Sequence, residues 1–168
     1  MNNEKICIIS YGVGGWYKSG QHRLVRSLNY HGFAGCVNSY TSHPYEWPLH
    51  SDNPYAFKIY AFNEALNEGY THILWLDSSV YAINDVMPIF DYINDNGTFA
   101  FRTGYNCAQS CNDRILLHNG ITRDEAEQVP EYATGCVGLN FGNEKARNLF
   151  ARWMENMQAG MFKGSRLH

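Results

Sequence analysis

Two short runs, "KICIISYG" at residues 5–12 and "HILWLDSS" at 72–79, constrain this chain more than any other feature of it. A strand with one wet face alternates apolar and polar residues. A continuous apolar run has no such face, so it belongs to a sheet covered by helices on both sides, as parallel sheets are. The intervening sequence supplies the helices. Ser19 stands where it can cap a helix that turns Leu24, Val25 and Leu28 inward, Arg23 and Arg26 outward, and stops at Gly32. "FAGCVNSYT" reads as a second strand, and Asn53 with Pro54 as the cap and first residue of a helix ending at Gly69.

Beyond the third strand the spacing predicts a short helix from Pro88 to Asn94, a strand at "TFAFRTG" and a helix from Ser110 to His118. Thr122 and Glu125 have capping-box spacing, "ATGCVGLNFG" is a small-residue strand, and Asn143 caps a last helix carrying Ala146, Leu149, Phe150, Trp153 and Met157. Strands alternating with helices predict an α/β, three-layer sandwich with a mainly parallel central sheet. With 168 residues, one domain over 1–168 is expected.

Composition narrows the partners. Hydrophobic residues make up 45% and charged residues 17%, which describes a folded domain with a core. The net charge is −3 and no stretch gathers Lys and Arg, so a duplex nucleic-acid ligand is not expected. No apolar run approaches the roughly 20 residues that span a bilayer, and "MNNEKICIIS" lacks a signal-peptide pattern; a cytoplasmic location is expected. Five scattered cysteines read as free thiols, Cys107 and Cys111 forming at most half of a zinc site.

The third strand ends on a carboxylate, Asp77, followed by Ser78 and Ser79. In open α/β sheets ligands bind beyond the carboxyl ends of the strands, so Asp77 is placed to meet a metal or a phosphate-bearing ligand, or else to cap the turn that follows. Lys58 falls at the edge of an apolar stripe formed by Tyr55, Ile59, Phe62 and Leu66. It either snorkels to water or meets a diphosphate as a point charge. Gly12, Gly14 and Gly15 follow the first strand where a backbone loop can approach a nucleotide, with Tyr11 or Trp16 as a stacking surface. The glycine spacing is neither a dinucleotide fingerprint nor a P-loop. Asp113 has capping spacing from Ser110 and is a second carboxylate candidate.

Taken together, "NPYAFKIYAFNEALNEGYTHILWLDSSV", "CNDRILLHNGITRDEAEQVPEYATGCVGLNFGN" and "FARWMENMQAGMFKGS" resemble nucleotide-diphospho-sugar transferases of the GT-A fold. The resemblance implies that a nucleotide-diphospho-sugar is the donor and an unknown hydroxyl compound the acceptor. It implies Asp77 as the first carboxylate of an Asp-x-Asp motif holding Mn²⁺ or Mg²⁺, with Ser79 in the place of the second. On that reading Lys58 holds the diphosphate and Asp113 orients or deprotonates the acceptor, while the position of the loop after the first strand puts Tyr11 and Gly12 on the nucleotide side. Relatives continue beyond "FKGSRLH" into a segment that supplies another contact, so a short or truncated member is expected, or one in which His168 and its neighbours substitute. Two other readings are a non-catalytic nucleotide or nucleotide-sugar binding module, and a haloacid-dehalogenase-type phosphatase, whose second aspartate Ser79 replaces.

Overall fold

The computed structural model describes residues 5–163, so His168 lies outside the described residues. Five strands form one sheet in the order β2-β1-β3-β5-β4: β1 Ile6–Tyr11, β2 Cys36–Tyr40, β3 His72–Leu76, β4 Thr98–Asn106 and β5 Pro130–Asn140. β1 pairs in parallel with both β2 and β3, while β5 runs antiparallel between β3 and β4. Four strands therefore point one way and β5 alone points against them. The helices are α1 Gly15–Tyr30, α2 Ala56–Asn67, α3 Met87–Asn96 and α7 Glu144–Gln158, with three short ones between β4 and β5: α4 Cys107–Ser110, α5 Asp113–His118 and α6 Arg123–Ala126.

Side-chain alternation along the central strands builds two cores, one on each face. Ile73 and Trp75 of β3 join Cys7 and Ile9 of β1 under Ile59 and Phe62 of α2 and Phe150 of α7. Leu74 and Leu76 join Ile8 under Leu24 and Leu28 of α1 and Phe90 and Ile93 of α3. This is why the runs do not alternate in sequence: each face has its own helical layer, and every residue of β3 is buried. Gly138 fits the same logic, since a side chain there would run into Ile93 of α3.

Local signals set several helix ends. The Thr122–Glu125 capping box is present in full, and Asn143 caps α7 by accepting from the Lys145 amide at 2.9 Å. Others differ from expectation. α1 begins at Gly15, which leaves Ser19 inside the helix, and Asn112 rather than Ser110 caps α5. The α2 start is moved most: its flanking residue is Tyr55 at φ 62°, in the left-handed region, while the Asn53 side chain turns away to donate to the Met157 carbonyl oxygen at 3.3 Å. A long-range contact has taken the residue that the local pattern assigned to the cap.

Candidate functional site

From β1 the chain passes to β2 on one side, and β3 lies on the other, so strand order reverses between β1 and β3. Crevices form beyond the carboxyl ends of strands at such a reversal. A cleft of about 460 Å³ lies there. Its wall takes Tyr11 and Val13 from the end of β1, Tyr17 from α1, His50 and Tyr55 from the loop before α2, Phe57 and Lys58 from α2, and Trp75, Asp77, Ser78 and Ser79 from the end of β3.

Lys58 and Asp77 form its charged centre. The ammonium donates to Asp77 Oδ1 at 3.0 Å and to the Thr134 carbonyl oxygen at 2.7 Å, with Thr134 Oγ1 at 3.4 Å. Three acceptors meet three N–H groups, which is what allows a lysine to be only 3% exposed. Burial pulls the Lys58 pKa below the usual lysine value, and the Asp77 carboxylate opposes that shift. Lys58 Nζ also stands 5.0 Å from the Trp75 ring centroid and 5.8 Å from that of Tyr55, both within cation–π range.

Asp77 is fixed from three directions. Its Oδ1 accepts from Trp75 Nε1 at 2.6 Å as well as from Lys58, and its backbone amide donates to the Gly135 carbonyl oxygen at 2.9 Å. Both side-chain bonds go to Oδ1, and the carboxylate is 37% exposed. Oδ2 lies 3.2 Å from where a Cβ would stand on residue 135, so glycine there leaves that oxygen uncrowded. Burial, and after it the charge of Asp77, pushes the neighbouring Cys136 thiol up to about 11.

An aromatic wall surrounds the pair. Tyr11 stacks on Phe57 with centroids 4.5 Å apart, and Phe57 lies 5.7 Å from Trp75. The Tyr11 hydroxyl meets His43 Nδ1 at 2.7 Å, and His43 Nε2 meets the Trp47 carbonyl oxygen at 3.0 Å. A carbonyl only accepts, so Nε2 donates to it; in the neutral ring Nδ1 then accepts from Tyr11. Tyr55, the only described non-glycine residue with positive φ, donates its amide to His50 Nδ1 at 3.2 Å. Strain of that kind concentrates at ligand sites. On the far side Arg23 donates to the Ser79 carbonyl oxygen at 2.8 Å, and a side chain on Gly20 would collide with the Ser78 carbonyl. The turn after β3 is thus clamped to α1.

No protein-family model matches the sequence, and no curated protein does. A solved structure does: the crystal structure of a glycosyltransferase involved in the glycosylation of the major capsid of PBCV-1 aligns with a TM-score of 0.55 at 16% identity. The alignment covers 90% of this chain and 66% of that one. The fold is glycosyltransferase-like. At 16% identity the likeness speaks for the architecture alone, and this chain spans just under two thirds of that protein's length.

Within this glycosyltransferase-like fold the structure brings Tyr11, Lys58, Asp77 and Ser79 to one cleft. Gly12 stands just behind it, where its missing side chain lets β1 approach the Tyr17 carbonyl and Gln21 of α1. Tyr17 lines the cleft, whereas Trp16 is 92% exposed and is not part of the wall. Asp113 is not brought to the cleft: it is 89% exposed, and its carboxylate is held by Arg123. Among the residues the sequence reading missed, Val13, Tyr17, His50 and Phe57 line the wall, and Thr134 and Gly135 hold the charged pair. Thr134 and Gly135 reach the end of β3 because β5 runs antiparallel to it, pairing Cys136 with Leu76, a direction that the small-residue pattern of β5 does not encode.

A divalent cation fits this donor set poorly. Among the described residues no three His, Cys, Asp or Glu side chains gather as metal ligands. Among the described residues Asp77 is the only carboxylate on the cleft wall, and one of its oxygens already carries the Lys58 ammonium. A hard divalent ion takes six or more oxygen ligands, and even Mg²⁺, which keeps several waters and uses substrate phosphates, is held through one or two carboxylates; the one carboxylate here is shared with an ammonium. All five cysteines are free thiols, and Cys107 and Cys111 belong to no such group. No helix among the described residues is long and apolar enough to cross a membrane.

Proposed function

We propose that the chain binds a nucleotide-diphospho-sugar in this cleft and transfers the sugar to a hydroxyl of an acceptor. The observation that carries the reading is the Lys58–Asp77 pair, set in an aromatic-walled cleft at the strand-order reversal of a glycosyltransferase-like sheet. Flat aromatic walls suit a nucleobase or a sugar face. α1 begins beside the cleft with no side-chain cap and no acidic residue in its first turn, so its free backbone amides favour phosphate oxygens.

In the transfer the bond between the anomeric carbon and the diphosphate oxygen breaks, and its electron pair leaves with the nucleoside diphosphate. The acceptor oxygen forms the new bond and gives up its proton. Asp77 is the carboxylate in the cleft available to take that proton, through the oxygen that does not hold Lys58. Asp113, turned to Arg123, has no part in this scheme.

A thermal-shift screen of uridine, guanosine, cytidine and thymidine diphosphates and their sugar conjugates tests the reading. A ligand at a hundredfold over its Kd stabilises the native state by about 2.7 kcal/mol, roughly 5–10 °C in Tm for a chain of this size. No shift with any of them sinks it. The single cleft carboxylate also favours a second reading, a binding module without catalysis. Release of nucleoside diphosphate from a sugar nucleotide that binds separates the two, since a module binds and does not turn over.

A further inference from the structure

We infer that the cleft works without a divalent cation, and that Lys58 is the built-in positive charge that takes its place beside Asp77. The inference rests on the reading of the cleft as a nucleoside-diphosphate site, but it is carried by the geometry of the pair. A cation bridging Asp77 to a ligand draws on free carboxylate lone pairs, on further oxygen donors close by and on the absence of a competing positive charge. Here one carboxylate oxygen is already engaged, the motif's second position offers only a neutral hydroxyl, and an ammonium is already in place. Oδ1 is taken by Lys58 at 3.0 Å and by Trp75 Nε1 at 2.6 Å.

Lys58 has no way to step aside. It is 3% exposed and tethered to the Thr134 carbonyl oxygen at 2.7 Å, with its stem under α2 in the core, so the ammonium cannot swing to water when an ion arrives. The second position of the motif is Ser79, whose backbone is fixed by Arg23 at 2.8 Å and which offers a neutral hydroxyl in place of a carboxylate. Arg23 adds a second positive charge on that flank. A divalent ion at Asp77 meets the Lys58 ammonium, a second positive charge on the Ser79 flank and one half-occupied carboxylate, which leaves it short of the anionic protein oxygens that anchor such ions.

Lys58 compensates the ligand from within the wall. It holds Asp77 in electrical balance, so a diphosphate at the start of α1 is not repelled by an uncompensated carboxylate and needs no ion between them. Metal ion and lysine are thus alternative solutions to one electrostatic problem, and this chain carries the second.

Two measurements on the full chain test this. In the first, calorimetry follows UDP and GDP binding in excess EDTA and then in excess MnCl₂. The two Kd values are expected to agree within about twofold, and a loss of about tenfold or more in EDTA overturns the inference. In the second, Mn²⁺ alone is titrated and followed by electron paramagnetic resonance with wild type, Ser79→Asp and the double variant Lys58→Met, Ser79→Asp. The first two are expected to leave Mn²⁺ free and the double variant to bind one ion. Stoichiometric binding by wild type or by Ser79→Asp alone overturns the inference, as does a double variant that is folded by circular dichroism and still ignores Mn²⁺. If the double variant does not fold, the first two proteins decide. Failure of any nucleotide to bind in either buffer counts against the proposed function, while the Mn²⁺ titrations still rule on Lys58.

Discussion

The centre of the sheet and its β4 edge handle charge and exposure in opposite ways. At β1 and β3 the strands are buried from Cys7 to Ile9 and from His72 to Leu76, and the one charged pair spends all of its N–H groups on fixed acceptors. At β4 the run Phe101–Tyr105 is exposed, the pairing with β5 shifts register twice, and the nearby short helices carry the ion pair Asp113–Arg123 in water. Both strands carry large aromatic residues, Trp75 in β3 and Phe99, Phe101 and Tyr105 in β4, so the presence of aromatic rings does not separate them. Coverage does: β3 has a bonded strand on each side and a helix layer on each face, while β4 has a partner on one side only. An ion pair in the covered half is held in a fixed geometry with little screening, and one in the uncovered half is largely screened.

The largest effect that can break this contrast is a paired truncation. Trp75→Ala removes a ring that is 1% exposed and the indole donor to Asp77, and is expected to cost about 3–5 kcal/mol. Tyr105→Ser, at a residue 64% exposed, is expected to change stability by less than about 0.5 kcal/mol. Denaturant unfolding of both decides, and equal losses would mean that the β4 end is packed as tightly as β3.

A smaller difference is expected between the two carboxylates. Breaking a fully buried pair costs about 3–5 kcal/mol, but Asp77 is 37% exposed and asparagine retains an acceptor for Lys58, so about 2 kcal/mol is expected for Asp77→Asn. An exposed strand-end aspartate would suggest almost no loss; the tie to Lys58 raises the expectation. Asp113→Asn, at a surface pair, is expected to stay within about 1 kcal/mol and to leave nucleotide affinity unchanged within about twofold. Nucleotide binding that collapses in Asp113→Asn and survives in Asp77→Asn would move the site to the β4 edge of the sheet.

The smallest effect is a pH slope. Burial lowers the Lys58 pKa in the folded chain, so at alkaline pH just below the ordinary lysine value the unfolded chain binds more protons there than the native one. Stability from this group therefore rises with pH as it passes from the lowered folded pKa up to the unfolded value, and the penalty of the buried charge is fully present below that window. The unfolding free energy of wild type minus that of Lys58→Met is expected to grow across the alkaline window. A flat difference would mean that Lys58 is better solvated than its burial indicates.

The strands and their two-sided burial were legible because the signal is local: four apolar residues in a row have nowhere to go but between two layers. The Thr122–Glu125 box and the Asn143 cap were legible for the same reason, each closing within three residues. Asp77 at the end of a buried strand was likewise evident from the run that precedes it.

What the tertiary structure alone decided lies at long range. Lys58 finds Asp77 across 19 residues and Thr134 across 76, and Asn53 leaves its expected cap for Met157 across 104. The direction of β5, which brings Thr134 and Gly135 to the lysine, and the placement of Asp113 away from the cleft follow from how the sheet closes on itself. Periodicity reports which face of an element is buried. It carries no record of which distant element does the burying, because that choice is made by packing and by hydrogen-bond satisfaction between segments that meet only once the chain has folded.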